Sequence, residues 1–551
     1  MTRRTLLFLL TVLCLCATSW AELNFTKEQL EKHIDKVMAD KMAKHHTPGT
    51  VIAILKDGKL FFSKGYGFAE IEKKIPMSPE KTVFRLGSIS KLLTATTLMT
   101  YYDEGKVDFH QLVKEHLPTV PLSKPYGDKL QVSHLLTHTS GFDARYMNVL
   151  GRTAAPFVPL SSYMHSYIPP LVRPPGEIIQ YCNFGASLAG LLVEKLSGEP
   201  LSITAQKRVF TPLGMKKTQF YVGSGLEKDI ARGYGWHKGK HHALSYAFVP
   251  ITPAGGASST ALDMARLGEL FLSKKEGKLL RLSTMQKMQK TQFSSHKEFA
   301  GMGYGFFQYN KNGLRLVGHG GGVLGFSSIF YLVPKDRFAY FISTNLSNAF
   351  AFLDDVEKDI LNEYFPHKKT PRPEEKREVS QLKKYCGRYR GNRFPRSTCA
   401  KMLSIVLPVI SEKRIALNSS GKLVMDSVKF YFFSRYATEL HPIGENLFRR
   451  ADGRGLVAFV LGHSDKVKYM AFSSSPVSVF DAVPWYDTQL VHAFLLFLFI
   501  ILFMSGFGHI AWPWWKKREI ELPKWASILQ CSICFINLLI PALPLIAVFP
   551  M

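Results

Sequence analysis

The sequence predicts an α+β fold in which helices flank one antiparallel sheet. A small antiparallel β domain and two C-terminal transmembrane helices follow it. The order of the patterns predicts the sheet: a helix comes first, then strands, then many helices, then strands again. The chain has 551 residues, of which 46% are apolar, and this length allows several domains of roughly 100–200 residues. An apolar fraction this high excludes a mainly disordered protein.

The elements of the first domain, predicted over 22–368, follow from local residue spacing. Apolar residues at helical intervals after Thr26 predict a first helix. Apolar runs at 50–55 and 60–62, separated by Asp57-Gly58, predict a β-hairpin. The same reasoning predicts the later elements, which are helices from Gly87 onward and over 185–196, and strands over 324–332 and 338–343.

A charged, proline-broken linker is predicted at 369–377. Beyond it, residues 378–486 alternate short β-like runs with turns, at 402–410, 428–433 and 456–461. This alternation predicts a separate, small antiparallel β domain.

Both ends of the chain carry membrane signals. Residues 1–21 combine a positive head, an apolar run and small residues before a cleavage position, which predicts a signal peptide. The stretches 488–512 and 525–548 contain no Asp, Glu, Lys or Arg and are long enough to span a bilayer. The basic link between them, 513–524, is cytoplasmic by the positive-inside rule. The sequence therefore predicts a membrane protein whose main domain is exported, to the periplasm, the lumen or the cell exterior.

The charge balance favours anionic surroundings. Lys and Arg total 70 against 43 Asp and Glu, a formal charge of +27, which suits lipid headgroups or a polyanionic wall polymer, although a solvated basic face explains it equally well. No basic run is interleaved with aromatic residues, so nucleic acid is not predicted as a partner. The few cysteines show no zinc-type spacing, and pairing of Cys386 with Cys399 stays open.

Three short clusters carry residue types that catalysis uses. Ser88 and Lys91 lie three positions apart at a helix start and share one face, where the lysine can take the proton of the serine. Tyr181 and Asn183 lie two apart in a loop, and the phenol can shuttle a proton. The run 318–322 offers a histidine and unobstructed backbone N–H groups. Singly, each has an ordinary explanation: an N-cap serine, a packed aromatic, or a glycine-rich turn.

Together and in this order, the clusters resemble the signature of the serine β-lactamase and penicillin-binding-protein superfamily, in its class C-like branch of esterases, D-aminopeptidases and carboxypeptidases. The resemblance covers roughly residues 30–365 and implies a β-lactamase/transpeptidase-like form of the α+β fold. Flanking segments also match, at 135–141, 212–215, 254–260 and 303–306. The segment 385–389 is similar to the opening of the accessory β domains that often follow such catalytic domains.

The resemblance implies that Ser88 is the acyl-accepting nucleophile and that Lys91 helps to deprotonate it. Tyr181 is implied to act as general base for the attack and as general acid for the leaving group. The remaining implied site residues contact the substrate or form the oxyanion hole, and these are Asn183, His319, Gly321 and the backbone N–H groups of Ser88 and Gly322. No metal or organic cofactor is implied.

Two positions depart from the family pattern. Cys182 stands in the middle of the tyrosine motif, where a small residue such as serine or alanine is usual. His319 stands where penicillin-recognising relatives often carry a lysine, and its presence removes a fixed positive charge that would bind a carboxylate. The esterase-like and aminopeptidase-like relatives commonly share this histidine.

The sequence therefore predicts a membrane-anchored serine hydrolase that cleaves an ester or amide through an acyl-enzyme on Ser88. Its predicted substrates are lipid esters, peptides or other small molecules. Two alternatives stay open: a penicillin-binding or sensor-type protein that acylates without efficient turnover, and a structural protein that binds a wall polymer. The sequence does not fix the oligomeric state.

Overall fold

The computed structural model describes residues 25–145, 151, 159–220, 225–277, 279–367, 372–398, 400–401, 412–428, 435–462 and 465–489, with scattered positions from 491 to 504. Two bodies of regular structure follow one another along the chain. The first is built on a seven-stranded antiparallel sheet of strand order β3-β2-β1-β11-β10-β9-β8, and the second is a closed eight-stranded barrel, β12 to β19.

The strands of the first body are β1 Gly49–Lys56, β2 Lys59–Glu70, β3 Ile75–Pro76, β4 Phe84–Arg85, β5 Tyr234–His237, β6 Lys240–Ala243, β7 Ser258–Ser259, β8 Phe307–Lys311, β9 Leu314–Val323, β10 Phe326–Val333 and β11 Phe338–Thr344. The strands of the barrel are β12 Gly387–Gly391, β13 Glu412–Leu417, β14 Leu423–Val428, β15 Arg435–Gly444, β16 Leu447–Arg450, β17 Leu456–Leu461, β18 Val467–Phe472 and β19 Val479–Val483.

The α-helices are α1 Lys27–His45, α2 Ser90–Asp103, α3 Val113–His116, α4 Val132–Leu136, α5 Leu160–Tyr167, α6 Asn183–Ser197, α7 Leu201–Ala205, α8 Thr211–Leu213, α9 Thr252–Gly255, α10 Ala261–Leu272, α11 Leu282–Gln289, α12 Phe350–Tyr364 and α13 Val379–Leu382. The predicted first helix, the 50–62 hairpin, the helix over 185–196 and the two later strands are all present. Their ends agree within a few residues, except that the second strand of the hairpin continues to Glu70.

Local chemistry accounts for these boundaries. Thr26 caps α1 through a capping box with Gln29, and so fixes where the helix begins. Gly198 ends α6 in the left-handed conformation, with φ of 72°, which glycine adopts without a steric cost. The turn between β1 and β2 places Asp57 and Gly58 at positive φ, as a two-residue hairpin requires.

The sheet separates two hydrophobic cores, so the central strand β1 is buried on both faces. Val51, Ala53 and Leu55 enter the core beneath α2 and α10. Ile52 and Ile54 point the other way, into the core covered by α1 and α12. Side chains alternate across a strand with a period of two, so one apolar run serves both layers.

The barrel has its own apolar interior and also packs against the first body. A dozen buried side chains fill its centre, including Tyr385, Tyr389 and Phe459. A separate cluster joins its outer surface to the segment around Ile178 and Ile179 of the first body. Of the predicted β-like runs, 456–461 is β17, whereas 402–410 and most of 428–433 lie outside the described residues.

The prediction of two C-terminal transmembrane helices is wrong, and with it the membrane localisation. Across the described part of the chain, no helix is long and apolar enough to cross a bilayer. Of the first predicted span, 488–512, only 488–489 and scattered positions from 491 to 504 lie among the described residues. A lack of charged residues indicates an apolar segment but does not set the length of a helix. The leader 1–21, the link 513–524 and the second span 525–548 lie outside the described residues.

Candidate active site

Ser88 lies in a tight turn that leads directly into α2. The turn is one 3₁₀ segment, Gly87–Ile89. Gly87 has φ of 53°, a backbone conformation that residues with a side chain rarely adopt. The Ser90 hydroxyl fastens the turn, because it donates to Gly87 O at 2.5 Å and accepts from Ala257 N at 2.9 Å. The Ser88 side chain is half-buried, so its hydroxyl is fixed in place and still reachable.

Lys91 lies one helical turn beyond Ser88, on the same face. Its ammonium nitrogen donates to Ser88 Oγ at 3.1 Å and to Ala254 O, on α9, at 2.6 Å. The side chain is only 4% exposed, and burial lowers the pKa of Lys91 below its ordinary value. A buried lysine with a lowered pKa is a suitable proton acceptor for a serine hydroxyl.

The loop before α6 brings Tyr181 to the same hydroxyl. The Tyr181 hydroxyl donates to Ser88 Oγ at 2.6 Å, so Ser88 Oγ accepts hydrogen bonds from both Tyr181 and Lys91. Two rings hold the phenol in place, with centroids 4.5 Å away for His138 and 6.0 Å away for Phe307. Lys91 Nζ lies 4.8 Å from the centre of the Tyr181 ring. These contacts join two clusters that are 93 positions apart in sequence.

Asn183 and Cys182 form the start of α6. Asn183 is the first residue of the helix and is half-buried, and within the described part of the structure no hydrogen bond joins it to Lys91. Cys182 caps the helix, because its Sγ accepts from Gly185 N at 3.3 Å. Burial raises the pKa of the Cys182 thiol, which keeps the thiol protonated and unreactive. Cys182 is therefore a structural residue. Cys386 is exposed and forms no disulfide within the described residues; Cys399, whose pairing with it stays open, lies outside them.

The glycines of β9 lie against the turn that carries Ser88. A Cβ on Gly321 would lie 1.9 Å from Leu86 O, and a Cβ on Gly87 would lie 2.7 Å from Gly322 N. The strand and the turn can approach this closely only because both positions lack side chains. Gly321 and Gly322 therefore lie against the turn that carries Ser88.

His319 is buried and electrically neutral. Its side chain is 1% exposed, and burial, the largest cause, lowers its pKa to about 3. Nδ1 lies 2.5 Å from Gly320 O, and because a carbonyl oxygen only accepts, Nδ1 carries the proton. Nε2 is buried, with no hydrogen-bond partner among the described residues. The centre of the ring lies 4.3 Å from that of Phe307, with the two planes tilted by 33°, so His319 belongs to the group of aromatic rings that also contacts Tyr181.

Three further residues of the site were not among the predicted site residues. His138 Nδ1 accepts from Cys182 N at 3.2 Å and supports the tyrosine loop; the matching segment 135–141 was a usable signal for it. The Ala254 carbonyl receives the Lys91 ammonium. Arg393, from the loop after β12, places its guanidinium carbon 4.8 Å from the centre of the Tyr181 ring, and no sequence motif marks it. In the described ranges, no group of three or more His, Cys, Asp or Glu side chains could hold a metal ion.

A family profile described as "Beta-lactamase" matches residues 34–361. The chain is 25% identical over 348 residues to "Protein flp" of Staphylococcus aureus (strain NCTC 8325 / PS 47), an alignment that covers 60% of this chain and 67% of that protein. It is 31% identical over 271 residues to a beta-lactamase of Providencia stuartii, covering 48% of this chain and 64% of that protein.

Among solved structures, the chain is similar to the octameric penicillin-binding protein homologue from Pyrococcus abyssi. The TM-score is 0.53 at 24% sequence identity, and the match covers 81% of this chain and 99% of that one. A class C beta-lactamase from Rhodobacter sphaeroides matches with a TM-score of 0.51 at 19% identity, over 60% of this chain and 99% of that one. At such identities the likeness shows a shared fold.

Proposed function

We propose that Ser88 carries the catalysis of this protein, because the chain belongs to the beta-lactamase family, whose members are serine hydrolases that act through an acyl-enzyme. The observation that carries the proposal is the pair of hydrogen bonds that Ser88 Oγ receives, from Tyr181 at 2.6 Å and from Lys91 at 3.1 Å. The proposed reaction is hydrolysis of a small ester or amide, of the esterase, D-aminopeptidase or carboxypeptidase type.

In the proposed acylation step, Ser88 Oγ attacks the substrate carbonyl carbon. Its proton passes to the Lys91–Tyr181 pair, for which Lys91 is suited because burial lowers its pKa. The carbonyl double bond opens to a tetrahedral oxyanion. The oxyanion then collapses, the bond from carbon to the leaving oxygen or nitrogen breaks, and Tyr181 returns the proton to that atom.

The backbone N–H groups of Ser88 and Gly322 are the proposed donors to the oxyanion. The close approach of Gly87 to Gly322 N supports this pairing, because it places Gly322 against the residue that precedes Ser88. Each such donor contributes about 3–4 kcal/mol to the stabilisation of an oxyanion. Deacylation follows the same route in reverse, with a water molecule in the place of the leaving group.

His319 and Asn183 are proposed as substrate contacts. His319 is neutral, so it provides a hydrogen-bonding nitrogen but no positive charge at the position where penicillin-recognising relatives often carry a lysine. The absence of that charge favours esters and peptide-like amides over β-lactams. Asn183 lies two residues from Tyr181 at the first turn of α6, from where its amide can contact a bound substrate.

Labelling with a fluorophosphonate tests the proposal on the full chain. We expect one covalent adduct in the wild type and none in Ser88→Ala. Ser273→Ala, which removes a hydroxyl at the end of α10, is the matched control and should be labelled like the wild type. A label that persists in Ser88→Ala would overturn the assignment. Continuous release of nitrophenol from nitrophenyl butyrate then separates an enzyme from a penicillin-binding or sensor-type protein, which would give one burst and stop.

A further inference from the structure

The C-terminal barrel forms part of the wall of the active site. Ile178 and Ile179, just before Tyr181, belong to one hydrophobic cluster with side chains of the barrel. The barrel members of this cluster are Ile443, Leu447, Ala458, Tyr469, Ala471 and Val479. Tyr181 itself packs against the cluster. The barrel therefore packs against the loop that carries Tyr181.

The barrel loop 392–398 is fastened to the first body by buried polar contacts. Asn392 Nδ2 donates to Ile179 O at 2.7 Å. The Asp143 carboxylate, 2% exposed, accepts from Arg396 N at 2.9 Å and from Ser397 N at 2.8 Å. It also accepts from Ser397 Oγ at 2.6 Å. An anchored loop holds its side chains in defined positions, at a lower entropic cost to binding than a loose one.

Arg393 lies between these anchors, beside the catalytic tyrosine. Its guanidinium carbon lies 4.8 Å from the centre of the Tyr181 ring, and the residue is exposed. An arginine keeps its charge at any physiological pH and offers a planar fork of N–H donors that fits a carboxylate. After burial, which is the main cause, the Arg393 charge is one of the influences that lower the pKa of Lys91. Its field therefore reaches the catalytic groups.

On the basis of the proposed function, we propose that Arg393 binds a carboxylate on the leaving-group side of the substrate. The leaving atom must come within hydrogen-bond reach of the Tyr181 hydroxyl in order to be protonated, and Arg393 lies against that same tyrosine. The preferred substrates are then esters or amides whose alcohol or amine part carries a carboxylate close to the scissile bond, as the last residue of a peptide does.

In this assignment, the positive charge that binds the substrate carboxylate comes from the barrel. His319 is neutral at the edge of β9, and Arg393 supplies a permanent charge from a different element. Binding of a carboxylate by a guanidinium is a charge-assisted, often bidentate hydrogen bond. A lysine at the same place would keep the charge but lose the fork, so Arg393→Lys should recover only part of the binding.

The test compares two acetyl esters that differ in one charge: those of meta-hydroxybenzoic acid and of its methyl ester. Full-length wild type, Arg393→Ala and Arg393→Lys are assayed for kcat and KM on both esters. Arg414→Ala, which removes an exposed arginine from β13, is the matched control. We expect Arg393→Ala to lose at least about ten-fold more kcat/KM on the carboxylate ester than on the methyl ester, chiefly through KM, because a charge-assisted hydrogen bond is worth about that factor. Arg414→Ala should leave the ratio between the two esters unchanged.

The outcomes separate this inference from the proposed function. Equal losses on the two esters would overturn the role of Arg393 and leave Ser88 catalysis standing. A larger effect of Arg393→Ala on nitrophenyl hemisuccinate than on nitrophenyl acetate, in which the charge is on the acyl side, would also overturn it. No turnover of either ester by the wild type, or turnover that survives in Ser88→Ala, would instead refute the proposed function.

Discussion

Adding one methyl group at Gly321 is expected to separate β9 from the turn that holds Ser88. The new Cβ would lie 1.9 Å from Leu86 O and 3.2 Å from Ile89 Cγ1. Real Cβ atoms essentially never come closer than 3.0 Å to such a neighbour, so the strand and the turn must move apart by roughly 1 Å, at an overpacking cost of about 1–3 kcal/mol. A misplacement of roughly 1 Å costs about a hundred-fold in rate when catalytic groups are separated.

Gly320 provides the matched control, because it is the neighbouring residue and faces the other way. A Cβ there would find its nearest atom, the hydroxyl oxygen of Tyr331, at 3.7 Å, an ordinary contact. We therefore expect Gly321→Ala to lose about a hundred-fold in kcat/KM on nitrophenyl butyrate, and Gly320→Ala to keep most of the activity. Urea unfolding shows whether each variant is folded. A folded Gly321→Ala with activity within about three-fold of Gly320→Ala would refute the reasoning.

Two further predictions concern protons. Lys91→Arg should lose about 10²–10⁴-fold in kcat/KM at every pH, because a guanidinium cannot accept the serine proton. A kcat/KM within about ten-fold of the wild type at any pH would contradict this. Burial holds the pKa of His319 at about 3, below its ordinary 6.5, so between these values the unfolded chain binds one more proton and stability falls as the pH falls. When the pH is lowered from about 7.5 to 4.5, the free energy of unfolding should therefore fall by about 3 kcal/mol less in His319→Gln than in the wild type. Urea unfolding at several pH values measures the difference, and parallel curves would contradict it.

The sequence predicts the Ser88–Lys91 contact well, because three positions on a helix fix the relation between two side chains. The approach of Tyr181 and of Gly321 was predictable only through the order of the motifs, since no local rule brings such distant segments together. The contact between Arg393 and Tyr181 was not predictable from any pattern. It depends on how the barrel closes and on where its loop meets a cluster of apolar side chains.

The error at the C-terminus has a similar cause. A run without charged residues indicates only that a segment can lie in an apolar environment. Buried helices and membrane spans both have such runs, so the run alone does not distinguish them. Helix length is set by where the chain finds caps and packing partners, and composition does not contain that information.

The distribution of charge in the site follows from burial. Lys91 and His319 lie inside the protein, where losing a positive charge is favoured, and both have lowered pKa values for that reason. In the role proposed for Arg393, a group that holds an anionic substrate needs a charge that burial does not remove, and this exposed arginine of the barrel loop has such a charge. Because the proposed anion-binding residue and the proton-transfer residues lie on different elements, substitutions in the barrel loop can change the preferred substrate charge without altering the residues that move protons at Ser88.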